Sequence, residues 1–232
     1  MKTIGLIGGM SWESTVTYYQ IINRKVKNEL GGLHSAKCIL QSVDFHEIEH
    51  LQVTGQWEKC GELLGEIAAN LEKGGADCIV LCTNTMHKVA EAIEERISVP
   101  FLHIAQMTVD VLKKEGIKSV ALLGTRYTMQ EDFYKKILLN QGIEVLIPDE
   151  AQCLEVNRVI FEELCLGEVK DRSRTYFLSV MDKLVEQGAQ GVILGCTEIG
   201  LLVNQKDTPH RLFDTTQIHA EQAALFAIAD SV

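Results

Sequence analysis

The chain has 232 residues, room for one large domain or two small ones, and its 46% hydrophobic and 23% charged composition is that of an ordinary globular protein. A formal net charge of −10 lacks the basic footprint of a nucleic-acid binder, and no apolar run reaches the roughly 18 to 20 residues of a membrane span. Lys2 is soon followed by Gly8-Gly9 and Trp12-Glu13, so no signal peptide is expected, and seven cysteines in a chain this long read as reduced thiols of a cytoplasmic protein.

Thr3–Ile7 reads as a short apolar strand ended by Gly8-Gly9. Val16, Tyr19, Ile22, Val26 and Leu30 recur at steps of three and four, the stripe of an amphipathic helix, and Gly31-Gly32 stop it. Cys38–Val43 is the next strand. Cys60, Leu63, Ile67 and Leu71 mark a second helix, Cys78–Leu81 a buried strand, and Met86, Val89, Ile93 and Ile97 a third helix. The scheme then restarts. Strand Val120–Leu123 runs into Gly124-Thr125, a helix carries Phe133 and Ile137, and Ile143–Ile147 is a strand. Val156, Ile160 and Leu164 share a helix face, a long helix runs to Gln187, and Val192–Leu194 is a central strand. Arg211–Phe213 reads as a strand and the stretch from Ile218 as a closing helix. Strands alternating with helices over short links predict an α/β fold with mainly parallel sheets covered on both faces. The chain is expected to cross between halves near Pro100 and Pro209, giving residues 1–99 with 210–232 as one domain and 100–209 as the other.

The chain nearly repeats itself. GADCIVLCTNT at residues 75–85 matches GAQGVILGCTE at residues 188–198, an offset of 113 that sets Thr83 opposite Cys196. KTIGLIGGMS from Lys2 echoes KSVALLGTRY from Lys118 at an offset of 116, and Pro100-Phe-Leu-His echoes Arg211-Leu-Phe-Asp at 111. Three echoes at nearly one offset imply two related halves. Each half then offers one reactive position at a strand end, an arrangement that suits chemistry on both sides of one substrate atom.

Ligands of parallel α/β sheets gather at the carboxyl ends of strands. Four loops fit: Gly8-Gly9-Met10-Ser11, Thr83-Asn84-Thr85, Gly124-Thr125 and Gly195-Cys196-Thr197. Their backbone N–H groups favour an anion such as a carboxylate, and the hydroxyls of Ser11, Thr85, Thr125, Thr128 and Thr197 are further donors. The alternative for each is helix capping. The first glycine loop reads G-x-x-G-G and lacks the dinucleotide spacing. Cys196, after Gly195 and ahead of a helix start, is the candidate reactive thiol, with the helix dipole expected to favour its thiolate. Cys38, Cys60 and Cys78 read as inert core thiols. Strand alternation turns Cys82 away from the face of Thr83. Cys78 and Cys82 have no second ligand pair, so no structural zinc is expected. His87, His46 and His50 stay open between site edge and surface, and Glu198 between the site and a first-turn helix charge.

On IGLIGGMSWEST, CTNTMH, LLGTRYTM, FEELCLG and GVILGCTEIGLLV, the chain resembles the aspartate/glutamate racemase family, closest to its broad-specificity enterobacterial branch. The resemblance implies two similar α/β/α domains related by an internal pseudo-twofold, with the active site in the cleft between them. It implies a homodimer that racemises an amino acid without a cofactor, one residue taking the Cα proton and another returning one on the opposite face. Both are cysteines in the usual pattern. Here the second falls on Cys196 and the first on Thr83, beside Asn84 and Thr85. The Arg after the second strand and the Lys in the FEELCLG helix that aspartate racemases carry are also missing, leaving Gln52 or a histidine to meet a distal carboxylate. Rival readings are a maleate-isomerase or hydantoin-racemase relative and a non-catalytic amino-acid-binding protein.

Overall fold

Two four-stranded parallel sheets organise the chain in the computed structural model, which describes residues 1–230. One compact unit is Met1–Ile104 together with the segment from His219 on, and the other is Ala105–Ile218.

The first unit begins with β1 (Thr3–Gly8), α1 (Trp12–Leu30), β2 (Lys37–Ser42), α2 (Phe45–Val53) and α3 (Trp57–Lys73). It continues through β3 (Cys78–Leu81), a 3₁₀ turn (Thr85–Val89), α4 (Ala90–Glu94) and β4 (Phe101–Leu102), and its strand order is β2-β1-β3-β4. Ile7, Ile79 and Leu81 project from the sheet into a core completed by Ile48 of α2 and by Leu64, Ile67, Ala68 and Leu71 of α3. The second unit contains α5 (Ile104–Lys114), β5 (Ser119–Gly124), α6 (Arg126–Gln130), α7 (Asp132–Leu139), β6 (Glu144–Leu146) and α8 (Glu150–Glu162). After a short 3₁₀ turn come α9 (Asp171–Glu186), β7 (Val192–Gly195), α10 (Ile199–Leu202) and β8 (Leu212–Asp214), and α11 (Thr215–Ile228) leads back to the first unit. The order is β6-β5-β7-β8. Ala121, Leu123, Val192 and Leu194 meet Val156 and Ile160 of α8 and Phe177, Val180 and Leu184 of α9. Pro100 and Pro209 precede β4 and β8, which pair with β3 and β7 in their respective sheets.

Strand pairing reproduces the repeat. Ile7 pairs with Leu81 as Leu123 pairs with Leu194, so the offset of 116 on β1 meets the offset of 113 on β3. Val80 pairs with Leu102 as Ile193 pairs with Phe213, which gives the offset of 111.

Several helices depart from their periodicity. On α1 the buried face is Thr15, Tyr18, Ile21, Ile22 and Val26, while Val16 and Tyr19 of the expected stripe are exposed. The cause is polar. The Thr15 hydroxyl accepts from the Gly9 N–H at 2.9 Å and donates to the Ser11 carbonyl at 2.7 Å, which turns that face inward. The expected third helix is a 3₁₀ turn plus the five-residue α4, broken at Val89 (φ −109°, ψ 22°), and Ile97 lies beyond it. On α7 the buried positions are Tyr134 and Leu138, not Phe133 and Ile137. Helix α2 was hidden because it buries only Ile48 and Gln52.

The second sheet depends on a close approach. Gly124 and Gly195 pair across β5 and β7, and a Cβ on Gly124 would lie 2.7 Å from the Gly195 carbonyl oxygen. Since neither backbone can yield cheaply, Gly124→Ala is expected to destabilise the protein by about 2 kcal/mol or more. Gly116→Ala, at φ 73° with nothing within 4 Å of the new Cβ, should cost only about 1 kcal/mol. Urea denaturation of both variants checks the ranking; equal midpoints would mean the sheet has slack at Gly124.

Candidate active site

In the first unit, the Cys82 N–H donates to the Ile7 carbonyl at 2.9 Å and so extends the ladder one residue past β3. Thr83 follows, buried, with its N–H folded back on the Leu81 carbonyl at 2.8 Å. Its own carbonyl accepts from His87 Nδ1 at 2.8 Å. Asn84 and Thr85, also buried, start the 3₁₀ turn, and Asn84 makes no side-chain cap bond. The next residue of that turn, Met86, brings in α2: its sulfur lies 2.9 Å from Gln52 Nε2, the amide donor. Gln52 is buried, whereas His46 and His50 of the same helix are exposed. Ser11 caps α1, accepting from the Ser14 N–H at 3.4 Å.

His87 is buried rather than superficial. Burial holds its pKa well below the usual imidazole value, and the neighbouring His103 and His219 rings lower it further. Cys82 is fully buried, and burial pushes its thiol pKa up, in keeping with a core role.

In the second unit, Cys196 stands two residues past Leu194, as Thr83 stands two past Leu81. Its thiol donates to Glu198 Oε2 at 2.9 Å, and the Thr197 hydroxyl donates to the same oxygen at 2.9 Å. All three residues are buried. Glu198 occupies the position before α10 without capping it, so its carboxylate is spent on the thiol and hydroxyl. The helix-start expectation for Cys196 fails: α10 has only four residues, too few peptides for a strong dipole. Burial first, then the negative charge of Glu198, raises the thiol well above its ordinary pKa. Beside β5, Thr125 caps α6, accepting from the Thr128 N–H at 3.3 Å, and the two hydroxyls are 3.2 Å apart. Both are buried.

The capping alternative therefore describes Ser11 and Thr125, while Asn84 and Thr197 have no capping bond to their helices. The pairing of Glu198 with Cys196 had one sequence signal, adjacency in GCTE; the two-sided bonding of His87 had none. Among the described residues no group of three His, Cys, Asp or Glu side chains is arranged to hold a metal, and no helix is long and apolar enough to cross a membrane.

The family model for Asp/Glu/Hydantoin racemase matches residues 7–223. Broad specificity amino-acid racemase RacX of Bacillus subtilis (strain 168) is 31% identical over 150 residues, 64% of this chain and 64% of that protein, so the match spans less than two thirds of the relative. The crystal structure of a candidate Asp/Glu racemase from Yersinia pestis is 55% identical with a TM-score of 0.91, over 98% of this chain and 100% of that one. That of an aspartate racemase homologue from Pyrococcus horikoshii OT3 is 35% identical with a TM-score of 0.84, over 98% and 99%. The fold extends at 22% identity and a TM-score of 0.76 to an aspartate racemase from Picrophilus torridus, over 100% and 94%.

The Glu198 contact has a measurable sign. A carboxylate beside a thiol disfavours the thiolate, so Glu198→Gln should shift the midpoint of Cys196 alkylation by iodoacetamide to lower pH. Mass spectrometry of the modified peptide follows it. A midpoint that stays put would show that Cys196 does not feel the charge.

Proposed function

The chain belongs to the Asp/Glu/hydantoin racemase family, and on that premise we propose that it racemises a free amino acid by passing protons at Cα between Cys196 and Thr83, with no cofactor. The observation that supports this most is the shared position of the two residues, each two places beyond a paired leucine at the carboxyl end of a central strand. The substrate is aspartate, glutamate or a broader set of amino acids. A homodimer, as the resemblance implies, in the cytoplasm, as the reduced thiols suggest, completes the proposal.

In this reading Glu198 takes the thiol proton across the 2.9 Å contact. The resting thiol stays protonated, and the ammonium group of an arriving amino acid supplies the positive charge that favours the thiolate. The thiolate removes the Cα proton from one face. The Thr83 hydroxyl gives a proton to the other face, and the proton left on Glu198 and the one missing from Thr83 balance through solvent. Ser11, Asn84, Thr85, Thr125, Thr128 and Thr197 are assigned to the substrate's carboxylate and amine, and Gln52 to its side chain. A neutral amide there accommodates a neutral side chain as well as a carboxylate, without the charge-assisted bond an arginine would give.

Thr83 makes the reaction asymmetric, because a hydroxyl is a far weaker base than a thiolate. It also sustains a second reading, an amino-acid-binding protein without turnover.

Proton exchange and racemisation across a panel of L- and D-amino acids separate the two. Cys196→Ser is expected to lower turnover by about 10³-fold, within the usual range for a positioned proton-transfer group, with the fold intact. Thr83→Cys should raise the weaker direction's kcat, and Thr83→Ala should depress racemisation while sparing Cα deuterium exchange of one enantiomer. Binding by calorimetry with no Cα exchange in the unaltered protein would favour the binding reading. Full racemisation by Thr83→Ala would remove Thr83 from the chemistry.

A further inference from the structure

The His87 ring joins two backbone groups. Nδ1 lies 2.8 Å from the Thr83 carbonyl oxygen, and Nε2 lies 3.2 Å from the Ile104 nitrogen, whose N–H donates to it. A carbonyl only accepts and a backbone N–H only donates. Together they admit one state of the ring, with the proton on Nδ1 and the lone pair on Nε2. A doubly protonated ring would turn a donor on the Ile104 N–H. The ring is clamped from the side by His103, His219 and Phe101, at centroid distances of 4.5, 5.9 and 5.4 Å. His219 is itself fixed, with Nε2 donating to the Leu102 carbonyl at 2.6 Å and Nδ1 accepting from the Tyr18 hydroxyl at 2.9 Å.

Thr83 is thereby held at both peptide groups, its N–H on Leu81 and its carbonyl on His87. Threonine is β-branched and stiff at χ1, so a fixed backbone leaves its hydroxyl few directions. The far end of the latch is main chain at the start of α5, which does not swing as a side chain does. A proton donor works only when aimed, and a misplacement of about 1 Å costs about 100-fold in rate.

We infer that His87 is a positioning residue for the Thr83 half of the proton relay: its Nδ1–H holds the Thr83 carbonyl and so aims the hydroxyl at the substrate's Cα. This rests on the racemase reading above.

Two variants divide the latch. His87→Asn places an amide donor near the Nδ1 position and keeps the bond to Thr83. His87→Gln places its amide near the Nε2 position and loses that bond. In the direction that ends on Thr83, His87→Gln is expected to lower kcat by about 10- to 100-fold, with KM changed less than about twofold. Cα deuterium exchange through Cys196 should persist, and His87→Asn should recover most of the lost kcat. Undiminished racemisation in His87→Gln overturns the inference. So does an equal loss of exchange and racemisation, or a failure of His87→Asn to rescue; each would make His87 a core residue alone. Should neither variant fold, ¹⁵N NMR of the unaltered protein decides: an Nδ1–H neutral ring is expected at pH 7, and an Nε2–H or charged ring overturns it. If the unaltered protein exchanges no Cα proton from any amino acid, the racemase reading fails instead, a result none of the variants can imitate.

Discussion

The register of two parallel ladders controls the rest of this molecule. β1 on β3 and β5 on β7 share an equivalent register, with Ile7 beside Leu81 and Leu123 beside Leu194. Buried parallel strands tolerate little but apolar residues, so polar chemistry begins where pairing ends. The second residue past Leu81 is Thr83 in one sheet, and the second past Leu194 is Cys196 in the other. A slip of one residue in either strand would turn that side chain to the opposite face. In the second sheet the facing glycines Gly124 and Gly195 let the backbones close and bring the Thr125 and Cys196 loops side by side.

Each strand end then carries a buried polar support of different character. A buried carboxylate is costly unless its oxygens find donors, and Glu198 finds the Cys196 thiol and the Thr197 hydroxyl. Behind Thr83 stands an imidazole bonded to the Thr83 carbonyl and the Ile104 N–H, with burial disfavouring its charged form. The proposed relay pair is correspondingly asymmetric, a thiol beside a carboxylate and a threonine whose peptide groups are both bonded.

Much of this was legible in advance. The strand Cys78–Leu81 is observed with the predicted bounds, because the run of five apolar residues from Cys78 to Cys82, between Asp77 and a Thr-Asn-Thr turn, admits little else. The two-sheet α/β architecture followed from strand–helix alternation and from three echoes that the ladders reproduce. Helix phase was less legible. Of the α1 stripe Val16, Tyr19, Ile22, Val26 and Leu30, Ile22 and Val26 are buried but Val16 and Tyr19 are exposed, because Thr15 faces inward through hydrogen bonds that a hydropathy pattern does not register. Helix α2, with one buried apolar side chain and one buried amide, offered too little periodicity to detect. The thiol of Cys196 was expected to be lowered by a helix start; its burial and a carboxylate two residues along the chain act the other way.

The sequence by itself determined which residues stand at the strand ends, since strand length and apolar content fix where a parallel strand stops, and the repeat fixes which positions correspond. Only the tertiary structure decided what surrounds them. Gln52 reaches Met86 from another helix, and His87, bonded to the Thr83 carbonyl, meets the Ile104 N–H seventeen residues further along the chain. Burial and hydrogen-bond partners are properties of three-dimensional neighbours, and those neighbours, not residue type, set whether an imidazole is charged or a thiol protonated.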